Sequence, residues 1–197
     1  MKRAVNRKHS VHYVTVSGTG HGQKVRMVCD VGRGVGIQRI KITRNGRTGP
    51  ASVIVARRTA YLKGTAYTMR VYFGFSKAQA KKYAGKWISI PHTNPGFATV
   101  SADATFRSFV VYLFPHNKLS LVSRGKLVGV RGTATVQGTT IVETVYAPRH
   151  GKPLPTKEAT SEPGHPGKGV MTMSGWNEAV HVSAPKHAVP ISKVVGG

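Results

Sequence analysis

Apolar and polar side chains alternate along most of the chain, and this pattern predicts strands. Between residues 24 and 29, Val25, Met27 and Cys29 occupy every second position, which is the period of a strand with one buried face and one wet face. The pattern predicts antiparallel strands joined by Gly-rich turns such as Gly18–Gly22 and Asn45–Gly46. The predicted strands cover residues 10–17, 23–31, 36–42, 51–56, 59–63, 118–122, 126–136, 139–146, 152–161 and 169–174, with Gln137–Gly138 as a further tight turn.

Two segments show the helical period instead. The more apolar one, predicted over residues 102–114 with Ser101 as its N-cap, carries one apolar stripe at positions i, i+3, i+4, i+7 and i+8: Phe106, Phe109, Val110, Leu113 and Phe114. The shorter helix starts after Ser76 and ends near Gly85, and most of its side chains are polar. The sequence therefore predicts an α+β fold in which helices cover a sheet.

The charge of the chain is its largest anomaly. Its 197 residues include 30 Lys and Arg against 6 Asp and Glu, a formal charge of +24. This length suits one domain, predicted over residues 10–192 between a disordered or truncated segment 1–9 and a tail 193–197. A surface of this charge attracts polyanions or an anionic membrane surface. The basic candidates, expected on the outer face of the sheet, are Lys24, Arg26, Arg39, Lys41, Arg44, Arg47, Arg57 and Arg58.

The residues that catalysis requires are sparse. Six acids leave little material for a carboxylate pair, and none is paired with another by spacing. The histidines are scattered without metal-ligand spacing, and Cys29 reads as a small buried thiol. These observations predict a non-enzymatic protein without metal or cofactor.

The first residues are basic but are followed by no apolar segment, so the sequence shows no signal peptide, and the context of Cys29 is not a lipid-attachment site. No apolar run is long enough to span a membrane.

Large apolar side chains are abundant in and around the helical segments. They fit either an ordinary core or the lining of an apolar cavity between sheet and helices, and the sequence alone does not separate these alternatives. The candidates for such a cavity are Tyr61, Met69, Phe73, Trp87, Phe106, Phe109, Val110, Leu113, Met171 and Met173.

The order of these pieces resembles a known family. The segments 59–64 and 83–91 followed by the apolar helix resemble the LppX/LprG-type, LolA-like lipoproteins of actinobacteria. Later segments resemble the family's paired strands, its strand start and its closing strand with an Ala-Pro tail: Gly132 to Val145, Gly151 to Pro155, and Met173 to Pro185. The similarity covers residues 10–192.

The resemblance implies a strongly curved antiparallel half-barrel with helices over its concave face and a cavity that holds acyl chains. It further implies an extracytoplasmic protein that binds or transports a lipid in the cell envelope. We expect the protein to be a monomer. Two alternatives stay open. One is a module that binds nucleic acid or an acidic cell-wall polymer through the basic sheet face. The other is a structural envelope protein whose covered sheet has no cavity.

Overall fold

In a computed structural model, which describes residues 1–18, 22–136, 138–164 and 167–195, twelve strands form one sheet. The sheet order is β12-β6-β5-β4-β3-β2-β1-β11-β10-β9-β8-β7. All neighbouring strands pair antiparallel except β12 and β6, which pair in parallel. The strands are β1 Val11–Gly18, β2 Lys24–Gly32, β3 Val35–Arg44, β4 Arg47–Ala56, β5 Thr59–Gly64, β6 Ile88–Pro91, β7 Asn117–Arg124, β8 Leu127–Val136, β9 Thr139–Pro148, β10 Lys157–Ser161, β11 Lys168–Ser174 and β12 Val189–Pro190.

Six short helices accompany the sheet in the described residues. None of them has the length and apolarity that crossing a bilayer requires. They are α1 Lys2–Val5, α2 Ala66–Val71, α3 Lys77–Tyr83, α4 Gly96–Val100, α5 Phe106–Tyr112 and α6 Ser192–Val195.

The strand β1 joins two sequential meanders into one sheet. It pairs with β2, which follows it in sequence, and with β11, which lies near the other end of the chain. Tight hairpins hold the register on the β2 side; Asn45 and Gly46, for example, both adopt the positive φ that a two-residue turn between β3 and β4 needs. The register places Met27, Thr15, Met171 and Glu158 on successive neighbouring strands. These four residues therefore lie in one row on one face of the sheet.

The helices pack against that same face, which we call the helix face. Two groups of buried residues lie there. The first, here called the packed cluster, joins β2 to β6 with α2, α3 and α6 and contains Val25, Ile40, Ile42, Ala51, Val53, Val55, Ala60, Leu62, Met69, Ala80, Tyr83, Ile88, Ile90, Ala104 and Val194. The second, the pocket cluster, joins β1, β2, β9 and β11 with α1 and α5 and contains Val5, Val11, Tyr13, Cys29, Val31, Phe106, Phe109, Leu113, Phe114, Val145 and Met173.

The opposite face, here called the outer face, carries the segment that follows β11. Residues 178–183 lie there beside His12, Ile37 and Ile54, and together they border a depression of about 440 Å³. The Ser10 hydroxyl donates to the backbone oxygen of Glu178, which ties this segment to the start of β1. The segment then reaches β6, where β12 pairs.

Most of the predicted strands and the helix after Ser76 are confirmed, and Ser76 forms a capping box with Gln79. The predicted helix over residues 102–114 is wrong in its first turn, because α5 begins at Phe106 with Thr105 as its N-cap. The predicted strand over 152–161 begins at Lys157 instead. The turns at Gly18–Gly22 and Gln137–Gly138 include residues 19–21 and 137, which lie outside the described residues.

Both ends of the chain contribute to the fold. Val5, within the segment predicted as disordered or truncated, is fully buried in the pocket cluster, and Val194, within the predicted tail, is buried in the packed cluster. Tyr83 donates its hydroxyl to the backbone oxygen of Lys193, which holds α6 against α3. Residues 196–197 of the predicted tail lie outside the described residues.

Candidate functional site

A pocket of about 500 Å³ lies between α5 and the helix face of the sheet. Its walls come from β1, β2, β8 to β11, α5 and the turn that precedes α5. It is lined by Tyr13, Thr15, Met27, Ala102, Asp103, Phe109, Val111, Tyr112, Leu113, His116, Ala134, Thr135, Ile141, Glu143, Glu158 and Met171. Most of these side chains are apolar, which is typical of a small-molecule site.

The position of α5 over the sheet is fixed by its start and by one aromatic stack. Thr105 and Ser108 form a capping box, each side chain accepting from the other's backbone N–H. One turn later, the ring of Phe109 stacks on that of Tyr13, with 4.9 Å between centroids. The cap sets where the helix begins, and the stack sets which face of α5 meets β1.

The turn before α5 is bound to the sheet by two hydrogen bonds. The Tyr13 hydroxyl donates to the backbone oxygen of Asp103 at 2.6 Å, and the Gln38 amide donates to that of Ala102 at 3.0 Å. Gly36 lies below this turn, where a Cβ would collide with the backbone oxygen of Ala104. The glycine thus permits the close approach that brings Asp103 to the pocket wall.

Two carboxyl groups lie on the sheet side of the pocket. Glu143 of β9 faces Thr160 of β10, and Glu158 of β10 faces Val145 of β9, so the two acids are diagonal neighbours on the same face. Both are buried, with only 1% of Glu143 and 8% of Glu158 exposed. Within the described part of the chain, Glu143 Oε1 and Glu158 Oε2 are buried without a hydrogen-bond partner.

Burial shifts the protonation of all three acids in the pocket. It raises the pKa of Asp103 to about 6 and that of Glu143 to about 7. Burial raises the pKa of Glu158 to about 8, with further contributions from the negative charges of Glu143 and Asp103. Each shift has the same cause, because a carboxylate loses its hydration in an apolar surrounding.

The structure divides the ten predicted cavity residues among several environments. Phe109, Leu113 and Met171 line the pocket, while Phe106, Val110 and Met173 belong to the cluster behind it or pack against it. Met69 and Phe73 lie with the packed cluster, away from the pocket lining.

Two of the predicted cavity residues lie elsewhere. Tyr61 alternates with the buried Ala60 and Leu62 and borders a separate depression of about 610 Å³ next to β12. Trp87 precedes β6, and the Lys63 ammonium lies 5.7 Å from its ring centroid. Neither residue is in the described lining of the pocket beneath α5, and strand alternation directs Tyr61 away from the helix face.

The acids of the pocket are what the sequence reasoning missed. Spacing along the sequence pairs none of the acids, whereas the pairing of β9 with β10 makes Glu143 and Glu158 neighbours on one face. A signal was present in β9, where Glu143 occupies an inward position between Ile141 and Val145. An acid in the buried register of a strand is unusual enough to indicate a site.

The eight predicted basic residues are all exposed, but they do not form one patch. Arg26 and Lys41 are direct cross-strand neighbours on the outer face, with Lys24 and Arg39 nearby in the same register. Arg44 and Arg47 flank the turn between β3 and β4, whereas Arg57 and Arg58 form the turn at the other end of β4.

Other chemistry finds little support in the described part of the chain. Cys29 is buried beside Tyr13, and burial raises the pKa of its thiol to about 12, so it stays protonated at neutral pH. The described residues contain no group of three or more His, Cys, Asp or Glu side chains arranged to hold a metal ion.

A mostly antiparallel twelve-stranded sheet with short helices packed against it is the fold class that this geometry defines. The chain has the fold of the LppX/LprG type, as comparison with a solved structure shows. The alignment with the crystal structure of the Mycobacterium tuberculosis lipoprotein LppX covers 92% of this chain and 93% of the LppX chain. The TM-score is 0.50 and the sequence identity is 15%. No family model and no curated protein matches the sequence.

Proposed function

We propose that this protein binds a lipid or another long apolar ligand in the pocket beneath α5. The observation that carries the proposal is the pocket itself, which is lined by Phe109, Leu113, Ile141 and Met171 between sheet and helix. Burial of each methylene against such a surface contributes about 0.8 kcal/mol, so a chain of about ten methylenes has ample driving force before ordering costs.

The likeness of fold to a mycobacterial lipoprotein supports the same class of function. In this proposal the sheet curves as a half-barrel around the ligand, the helices cover its concave side, and the protein works in the cell envelope as a non-enzymatic carrier. Exposed apolar side chains of α5 border the pocket, where Val111 is 56% and Tyr112 60% exposed. These two residues give an acyl chain an apolar path between solvent and pocket.

The exposed basic residues have a supporting role in this proposal. Arg26 and Lys41 lie side by side on the outer face, on the other side of the sheet from the pocket. Each such charge near an anionic bilayer contributes about 1 kcal/mol of attraction. They would hold the domain at a membrane surface while the pocket takes the ligand.

Two substitutions on neighbouring residues of β11 test the pocket. Met171 lines it, whereas Val170 lies on the outer face and is 41% exposed. We expect Met171→Trp to fill the pocket and to weaken binding of the fluorescent hydrocarbon diphenylhexatriene at least about tenfold, because the new ring occupies the ligand's volume. Val170→Trp adds the same ring to the same strand, and we expect it to leave the affinity unchanged.

Urea unfolding of both variants checks that the folded state persists. If the wild-type protein does not bind the hydrocarbon, the proposed function is wrong. If both variants lose affinity equally, the hydrocarbon binds outside the pocket and the assignment of the site fails.

A further inference from the structure

The pocket lining is acidic, whereas the chain as a whole is strongly basic. The protein contains 30 Lys and Arg and only 6 Asp and Glu, yet three of the six acids line this pocket and none of the described lining residues is a Lys or Arg. The three acids come from two separate parts of the fold, since Asp103 lies on the turn before α5 and the glutamates lie on β9 and β10. An apolar pocket that only had to hold a hydrocarbon would need none of them.

Each of the two glutamates has one buried carboxyl oxygen that needs a hydrogen-bond donor. Glu143 Oε1 and Glu158 Oε2 are buried without a hydrogen bond within the described part of the chain. A buried carboxyl oxygen without a donor destabilises the folded protein, and an apolar side chain of similar size would not. The side chains that carry these oxygens line the pocket, where a ligand can supply the missing donors.

We propose that the pocket binds an amphiphile with a primary ammonium head, which donates hydrogen bonds to Glu143 and Glu158 while its aliphatic chain packs against Phe109, Leu113 and Ile141. This inference rests on the proposed function and adds the chemistry of the ligand's polar end. An ammonium offers three donors and one positive charge, which matches two acidic acceptors on adjacent strands. A hydroxyl head offers one donor and no charge, so it compensates a buried carboxylate less well.

The other titratable groups that face the pair are few. They are Asp103 on the turn before α5, Tyr13 on β1, Tyr112 on α5 and His116 after α5. At neutral pH Asp103 adds negative charge, and burial keeps the Tyr13 hydroxyl protonated because it raises that group's pKa well above its usual value. His116 is exposed and is the one basic side chain among the described lining residues.

The test compares three ligands of equal chain length by displacement of bound diphenylhexatriene. Dodecylammonium and dodecanoate are used below their micellar concentrations, and dodecanol below its solubility limit. We expect dodecylammonium to bind at least about tenfold more tightly than dodecanol, and dodecanoate to bind most weakly. The overall field of a +24 protein favours the anion. A preference for the cation therefore has to come from the pocket.

Variants and pH identify the groups responsible. Glu143→Gln/Glu158→Gln keeps the side-chain volume and removes the charge, so we expect it to abolish the preference for dodecylammonium and to leave dodecanol affinity within about twofold. Glu178→Gln, a change of the same type at an acid outside the pocket lining, should have no effect. Because the pKa values of Glu143 and Glu158 are about 7 and about 8, affinity for dodecylammonium should rise about tenfold from pH 6 to pH 8 in the wild type. It should rise much less in the double variant, in which Asp103, with a pKa of about 6, is the lining acid that still titrates over this range.

The possible outcomes separate the two proposals. Equal binding of the ammonium and the alcohol, or a preference for the ammonium that survives both glutamine substitutions, overturns the ammonium head and leaves a generic apolar site. A wild-type protein that takes up no diphenylhexatriene overturns the proposed function and this inference together. Should the double variant fail to fold by circular dichroism, the single variants Glu143→Gln and Glu158→Gln and the pH profile of the wild type decide the question.

Discussion

The packed cluster and the pocket cluster share one face of one sheet but differ in how completely their side chains fill the space beneath the helices. In the packed cluster, side chains such as Leu62, Ile88 and Met69 are fully buried and fill the space between strands and helices. Its buried polar neighbour Thr68 is satisfied, since its hydroxyl donates to the backbone oxygen of Pro50. Beside the pocket cluster, space is left open, and one carboxyl oxygen each of Glu143 and Glu158 is buried without a hydrogen-bond partner among the residues that the structure describes.

The difference indicates that the region around the pocket contributes less to the stability of the fold than the packed cluster does. A filled apolar cluster gains dispersion contacts and hydrophobic burial at every position. A pocket forfeits part of both, and buried acids add a further cost. Proteins tolerate such costs mainly where a ligand or a reaction uses the site. The comparison therefore yields predictions in which the same chemical change has different effects in the two regions.

The largest expected effect comes from truncating one leucine in each cluster. Leu62→Ala leaves a void in a filled environment, and we expect it to lower the free energy of unfolding by about 4 kcal/mol. Leu113→Ala removes a side chain that already borders the pocket, so fewer contacts are lost and about 2 kcal/mol is expected. Urea unfolding with equal slopes measures both values. Equal losses would show that the pocket half is packed as tightly as the other half.

The pocket acids predict an unusual dependence of stability on pH. The pKa values of Glu143 and Glu158 rise from 4.5 to about 7 and about 8 on folding. Between these limits the folded state retains protons that the unfolded state has released, so stability is greatest below about pH 4.5 and declines until pH passes about 8. Asp103, with a pKa of about 6, contributes in the same direction.

We expect Glu143→Gln/Glu158→Gln to raise the free energy of unfolding at pH 8 by about 2 kcal/mol relative to wild type and to change it little at pH 4.5. The difference between the two proteins is the quantity to measure, since every group outside the pair is common to both. Glu178→Gln serves as the matched control. A double variant that is less stable than wild type at pH 8 would mean that the acids already have partners in solution.

The sequence predicted those parts of the fold whose residue pattern lies within a few neighbouring positions of the chain. Alternation in β2 placed Val25, Met27 and Cys29 on the buried side, and the Ser76 cap placed the start of α3, because both patterns are contained within a few residues. The helix α2 escaped prediction since its six residues include an aromatic and two β-branched side chains and show no clear stripe. The predicted helix over residues 102–114 included Asp103 in its first turn, whereas Asp103 has a φ of 56°, which interrupts a helix.

The candidate site was predictable only in part for the same reason. The helical stripe placed Phe109 and Leu113 on one side of the predicted helix, and both border the pocket, Phe109 from α5 and Leu113 from its C-cap. The meeting of Glu143 with Glu158 depends on the register of β9 against β10, which are joined by an irregular segment and offer no short turn to fix the pairing. Long-range register is therefore what separates the predicted site from the observed one.

The smallest expected effects come from the two capping boxes, one in each region. Ser76→Ala in α3 and Thr105→Ala in α5 each remove the acceptor for one backbone N–H, and each should lower the free energy of unfolding by about 1 kcal/mol.

The effects of these two variants on ligand binding should differ. The first turn of α5 positions Phe109 against Tyr13, so Thr105→Ala should weaken diphenylhexatriene binding by about threefold, whereas Ser76→Ala should leave it unchanged, because α3 contributes no residue to the described pocket wall. If both variants weaken binding alike, the affinity of the pocket depends on the stability of the whole protein, and the two clusters act as one unit. If only Thr105→Ala weakens binding, the position of α5 determines the affinity.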